Sequence, residues 1–261
     1  MRKVMATAAS AAVLLMIGAG PVLADEHESD APPVSPIEGW TCTYNEGKGR
    51  ADLDAANAAW NEWMDEHDQN DYLAFIMTPQ FFGELNFDFA WIGVARDGHA
   101  FGAGTDLWLS EGGEVGAMFA DAISCSSHSA FVSMNVKRMP PSDEEGDGKF
   151  VLNFSNCSLK QEGDDAFDNF MAAQEEWNAY ADEHGFDYNA WIWWPIYGET
   201  DDSYDFKYIG GASDWTTVGA NWQLYADGHW QKSSDLFKGH LDCDISRVYD
   251  ATMVREWADE D

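Results

Sequence analysis

Between residues 51 and 67, apolar side chains return every third or fourth position, placing Leu53, Ala56, Trp60, Trp63, Met64 and His67 in one stripe about 100° wide on a helical wheel. Between residues 167 and 184 the same spacing aligns Phe167, Phe170, Met171, Gln174, Trp177, Ala181 and His184. Both stretches are expected to be helices packed on one face, and Gly185 follows the second as a left-handed terminator. After each helix the period drops to two. DYLAFIMTPQFF and FDFAWIGVA follow the first helix, DYNAWIWWPIY and YDFKYIGGA the second, and each pair reads as a β-hairpin. A Gly-Ala turn and a weaker helix are expected next, near 105–123 and near 222–240, followed by last strands in HSAFVSMNVKR and SRVYDATMVRE. A first strand precedes each strong helix, most clearly in KFVLNFSNC.

The two series are one pattern written twice. Residues 60–67 read WNEWMDEH and residues 177–184 read WNAYADEH, and the correspondence runs outward in both directions. Cys42 falls opposite Cys157, Asp71-Tyr72 opposite Asp187-Tyr188, Ile92-Gly93 opposite Ile209-Gly210, and Cys125 opposite Cys243. Self-similarity over this span marks an internal duplication. Repeat 1 is assigned to 39–139 and repeat 2 to 149–257, joined by the solvated linker 140–148 and followed by an acidic tail, 258–261. The β-α-β-β-α-β order of each copy is that of the ferredoxin-like module, in which the first and last strands are antiparallel neighbours. Cys157 ends a first strand and Cys243 opens a last one, as do Cys42 and Cys125. The duplication therefore pairs Cys42 with Cys125 and Cys157 with Cys243, each bridge worth about 4–5 kcal/mol in the chain-entropy picture.

The strands are apolar on both faces. Leu73, Phe75 and Met77 alternate with Tyr72, Ala74 and Ile76, while Trp191 and Trp193 alternate with Ile192 and Trp194. Both faces must be covered. The economical solution packs the sheets of the two copies against each other: an α+β protein of two tandem ferredoxin-like β-α-β-β-α-β repeats forming an intramolecular pseudo-dimeric α/β barrel. This arrangement resembles the dimeric α/β-barrel superfamily, which includes the antibiotic-biosynthesis monooxygenase, EthD-like and NIPSNAP-like families. The resemblance covers both repeats, lies in element order, and carries over no motif or catalytic residue. The excess of aromatic residues points to a small, largely apolar organic ligand, and for an enzyme the resemblance implies cofactor-free oxidation, isomerisation or decarboxylation. The competing expectation is a non-enzymatic secreted or envelope interaction protein whose 13 Trp, 15 Phe and 9 Tyr only build its core.

Charge and the N-terminus set the compartment and remove some partners. Arg2 and Lys3, an apolar run and Val22-Leu23-Ala24 read as a signal peptide over 1–24, followed by a disordered acidic lead-in over 25–38. The chain is expected in the periplasm or the medium, where its four cysteines, none in a Cys-x-x-Cys motif, read as disulfides. A formal net charge of -33 repels phosphate backbones and anionic lipid, so neither nucleic acid nor membrane is an expected partner. A monomer with an internal pseudo-two-fold is expected.

Candidate chemistry is sparse. His184 and His67 recur at the ends of the two stripes, where each is either an acid or base facing a pocket or a residue bonding the last helical carbonyls. Around them Trp177, Gln174, Asn178, Trp191, Trp193, Trp60 and Asn61 are the expected ligand-binding side chains. Glu84, Asp88, Glu199 and Asp205 are loop and strand-end acids that would bind a cation only if brought together. FGAGTD at 101–106 lacks the third glycine of a dinucleotide fingerprint and is expected to be a turn. CSSH at 125–128 has Ser246 opposite His128, so a metal half-site is not repeated. No Walker, Gly-x-Ser-x-Gly or zincin pattern occurs. Neither metal nor cofactor is expected.

Overall fold

The computed structural model describes residues 34–139, 147–163, 165–199 and 201–257. The segment read as a signal peptide, most of the expected lead-in and linker, and the tail lie outside the described residues. The first half runs β1 (Val34–Tyr44), α1 (Arg50–Glu66), β2 (Tyr72–Phe81), β3 (Phe89–Ala95), α2 (Gly98–Glu111), α3 (Gly113–Ala122) and β4 (Ile123–Lys137). The second runs β5 (Lys149–Leu159), α4 (Ala166–Glu183), β6 (Asn189–Tyr197), β7 (Phe206–Ala212), α5 (Trp215–Leu224), a π-helical turn (Tyr225–His229), α6 (Trp230–Phe237), β8 (Leu241–Cys243) and β9 (Arg247–Arg255).

All strand pairings are antiparallel, in the order β7-β6-β4-β1-β3-β2-β9-β5, and a β5–β7 pairing closes an eight-stranded barrel. The two halves meet at strand edges, through β4–β6 and β2–β9. Closure leaves no long edge exposed. One set of alternating strand residues fills the interior: Ile37, Phe75, Met77, Ile92, Phe131, Leu152, Phe154, Trp193, Ile209 and Tyr249, with every barrel strand contributing. The other set faces outward under the helices. Ala74, Ile76, Phe89 and Trp91 meet Leu53, Trp60, Trp63 and Met64 of α1, while Ile192 and Phe206 meet Phe170 of α4. Each such side chain contributes about 1.5–3 kcal/mol on burial. Among the described residues no helix is long and apolar enough to cross a membrane.

Cys42 is bonded to Cys125 and Cys157 to Cys243, as the strand order requires. Three expectations need correction. The strand β1 begins at Val34, inside the segment 25–38 read as a lead-in, because it is paired along its length with β4. FGAGTD is helical, not a turn: α2 starts at Gly98 because Asp97 caps it, its Oδ1 accepting from the amides of His99 and Ala100 at 2.8 Å each. Asp214 likewise starts α5 ahead of Gly219-Ala220, accepting from the Thr217 amide at 2.7 Å.

Candidate functional site

Two cavities lie at matching places, each between the outward sheet face of one half and that half's second helical segment. The second-half cavity, about 690 Å³, is floored by β5 and β7 around Asn153 and Gly210, walled by Trp177, Tyr188 and Tyr208, and roofed by Trp222, Tyr225 and Phe237. The first-half cavity, about 640 Å³, is lined by Trp40, Trp60, Trp63, Trp91 and Trp108 with Glu38, Tyr72 and His128. Both volumes lie in the range of small-molecule sites.

Corresponding positions build the two cavities with different polar groups. In the first half Glu38 lies opposite Gly93 on the next strand, and a β-carbon at Gly93 would collide with the Tyr72 hydroxyl. The glycine therefore lets Tyr72 donate a short hydrogen bond to Glu38 Oε1. His128 Nε2 bonds Glu38 Oε2 at 3.0 Å while its ring stacks on Trp40 at 4.0 Å. Burial, then the charge of Glu38, pushes the Tyr72 phenol well above its ordinary pKa. In the second half Asn153 lies opposite Gly210 and its Oδ1 accepts from the Gly210 amide at 2.7 Å. Tyr188, which matches Tyr72, is left with a buried hydroxyl that has no acceptor for its proton, its one neighbour in reach being the Trp177 side chain, itself a donor. Burial pushes its pKa far up as well.

The roof of the second-half cavity is irregular. Gly228 at φ 116° breaks the helical run between α5 and α6, and Trp222 and Trp230 beside it are more than half exposed. A π turn of this kind marks a place where a helix is held off its regular path.

The expected site residues are split by this geometry. Trp60 and Trp177 line the first and second cavities respectively. Gln174 is fully buried and accepts from the Tyr208 hydroxyl at 3.1 Å while donating to Asn178 Oδ1 at 2.7 Å. Asn178 Nδ2 donates to the Val136 carbonyl at 2.6 Å and Asn61 Nδ2 to that of Val254 at 2.8 Å. Each asparagine thus ties its helix to the last strand of the other half. Trp191 and Trp193 do not face Trp177: they point into the barrel interior, because they alternate with the outward Ile192 and Trp194. His67 and His184 end their helices, Nδ1 bonding the carbonyls of Trp63 and Tyr180, four residues back, at 2.7 and 2.8 Å. Neither lines either of these two cavities. His67 Nε2 also reaches Glu111 at 3.2 Å, and the Trp63 carbonyl, followed by Glu111, raises its pKa. Asp88 and Asp205 accept from the amides of Tyr44 and Leu159 at 2.9 and 2.8 Å. Among the described residues no cluster of three or more acids, histidines or cysteines is placed to hold a metal.

Tyr188, Tyr208, Tyr225, Glu38 and Trp40 are not singled out by the sequence, and His128 stands there only as an unrepeated metal half-site. The signal available for Tyr72 and Tyr188 was their recurrence after Asp71 and Asp187, and for Glu38 a carboxylate two residues from a tryptophan within an apolar strand.

No protein-family model matches the chain, and no curated protein sequence matches it. Solved structures do. A protein of Fusobacterium nucleatum subsp. nucleatum provisionally assigned as a monooxygenase is 9% identical, with TM-score 0.52 over 87% of this chain and 94% of that one. A mutant chlorite dismutase of Candidatus Nitrospira defluvii is 9% identical, with TM-score 0.49 over 86% and 93%. A heme-binding protein of Thermus thermophilus is 10% identical, with TM-score 0.46 over 84% and 94%. At such identities the likeness is one of fold alone, an α+β fold around a closed eight-stranded antiparallel barrel.

Proposed function

We propose that this is an exported binding protein that holds a small, uncharged, largely apolar organic molecule in the second-half cavity. The barrel is read as two tandem ferredoxin-like modules, and the chain as a monomer, since both inter-half edges are closed within it. The observation that carries the ligand reading is the orphaned Tyr188 hydroxyl among the aromatic walls of an approximately 690 Å³ cavity. A buried donor without a partner costs about 1–3 kcal/mol, which a ligand carbonyl or ether oxygen would recover.

The same lining argues for binding over turnover. Oxidation or isomerisation without a cofactor needs a base to take a proton, and no histidine or carboxylate lines this cavity. Its phenols Tyr188, Tyr208 and Tyr225 are pushed up by burial and stay neutral at physiological pH. A heme, which the Thermus protein binds, does not fit either cavity. The second has no histidine or free thiol to ligate iron, and its one cation, Lys238, is held by Asp235 at 2.6 Å. The first has His128, already turned to Glu38, and no Lys or Arg to meet the propionates.

Titration with prodan, a neutral fluorescent ketone, tests the reading. Saturable binding is expected, weakened several-fold by Tyr188→Phe and by Trp222→Ala, and unaffected by Trp60→Phe in the other cavity. Absence of saturation, or indifference to both second-half variants, would overturn it. Intact mass of protein recovered from its source tests export: a mature form beginning near Asp25 is expected, and an uncleaved form would refute it.

A further inference from the structure

We infer that the first-half cavity is a second, chemically distinct site, one for small organic cations carrying an alkylated ammonium group. Five indoles, Trp40, Trp60, Trp63, Trp91 and Trp108, line it. They are interlocked edge to face, with Trp60 and Trp40 each 5.2 Å from Trp91 and Trp63 5.4 Å from Trp108. Ring faces attract a cation through their quadrupole, most strongly when the cation is poorly hydrated.

Charge points the same way. The lining contains Glu38, Asp68 and Asp71 and no Lys or Arg. Asp71 is held by Arg96 at 2.7 Å, and Asp68 is exposed at the solvent side. Glu38 is different: its side chain is only 14% exposed. It accepts from the Tyr72 hydroxyl and bonds His128 Nε2, and no Lys or Arg lines the cavity beside it. A bare metal ion is not the fit, since the described residues offer no cluster of three ligands. An alkylammonium group, with hydrocarbon for the indoles and charge for Glu38, satisfies both features.

The second-half cavity supplies an internal contrast. There Asn153 stands where Glu38 does, Ser155 where Trp40 does, and Ser246 where His128 does. Its lining has no carboxylate, so the cation preference belongs to the first half alone. The long-range field of a chain with formal charge -33 favours cation entry.

Calorimetric titration of the full mature protein with tetramethylammonium, choline and benzyltrimethylammonium tests this. Beside choline runs its isosteric neutral alcohol, in which carbon replaces nitrogen. At least one cation is expected to bind saturably, with choline preferred over the alcohol by about tenfold or more. Glu38→Gln should erase most of that preference, while Tyr188→Phe should leave it intact. Indole N–H resonances should shift for the five first-half tryptophans and not for Trp177 or Trp222. This last readout needs no variant and stands even if Glu38→Gln does not fold. Equal affinity for alcohol and choline, no saturation by any of the three cations, or shifts confined to the second half would each overturn the assignment. Failure here leaves the prodan result untouched, because the two probes report different cavities.

Discussion

Tyr72 and Tyr188 occupy matching positions, yet removing their hydroxyls should have opposite effects on stability. Tyr72→Phe deletes a donor to a largely buried carboxylate, leaving Glu38 with His128 Nε2 as its partner. A hydrogen bond to a charged group is worth about 1.5–3 kcal/mol. Tyr188→Phe deletes a hydroxyl whose proton has no acceptor, so the change should lie between neutral and about 1 kcal/mol stabilising. For a domain of this size 1 kcal/mol moves Tm by roughly 2–4 °C. Tyr72→Phe should therefore lower Tm by about 3–12 °C, while Tyr188→Phe should hold or raise it. Differential scanning calorimetry at neutral pH, with the disulfides intact, reads both. The folded-state pKa of each phenol is raised. For each, stability is therefore unaffected by pH below the ordinary tyrosine value of about 10 and falls as pH climbs from there toward the folded value, a loss that each Phe variant should remove. Equal drops in Tm for the two variants would refute the argument that Asn153, by turning to Gly210, orphans the second tyrosine.

The two disulfides close loops of nearly equal length, with separations of 83 and 86 residues. Replacing either pair by alanine should cost about 4–5 kcal/mol, and calorimetry showing one pair dispensable would contradict the shared role. Asn178 uses both ends of its amide, whereas Asn61 Oδ1 has no partner. Urea denaturation should show Asn178→Ala costing about 2–3 kcal/mol and Asn61→Ala about 1; the reverse order would count against the cross-half ties. The raised pKa of His67, due first to the Trp63 carbonyl and then to Glu111, means its stabilisation is fully present below the unfolded value. It is lost as pH rises through the folded one. The Tm gap between the unaltered protein and His67→Asn should accordingly be largest in mild acid and close in alkali, and a gap that widens with pH would refute the assignment.

The fold was legible because its determinants are local and repeated. Trp60 and Trp177 mark matching helix faces, and the strict alternation of Trp191 and Trp193 with Ile192 and Trp194 says that both sheet faces are covered. What alternation cannot say is which face carries a cavity. The inward tryptophans join the barrel core, and the two cavities lie outside it, under helices whose signal was weak. Those helices were started too late because Asp97 and Asp214 cap them ahead of glycine-rich stretches that by propensity alone read as turns. The chemistry was less legible for a further reason. Searching for residues that recur favoured His67 and His184, whose recurrence follows from bonding the carbonyls of equivalent helix ends.

Function in such a molecule is more readily found where the matching positions disagree. The disulfides, the Asn61 and Asn178 ties and the Asp88 and Asp205 bonds fix backbone to backbone, so a change in either half would disturb the barrel. Glu38 and Asn153 face open cavities and are free of that constraint, but they are not free of their neighbours. A carboxylate at position 38 requires the space that Gly93 leaves, the donor that Tyr72 supplies and the imidazole of His128. Substituting an amide at the matching position leaves the glycine and the tyrosine in place and strands the hydroxyl. The same floor then offers a negative charge in one half and an unused donor in the other. The two proposed ligand classes rest on the exchange of Glu38, Trp40 and His128 for Asn153, Ser155 and Ser246, with the barrel and both disulfides untouched.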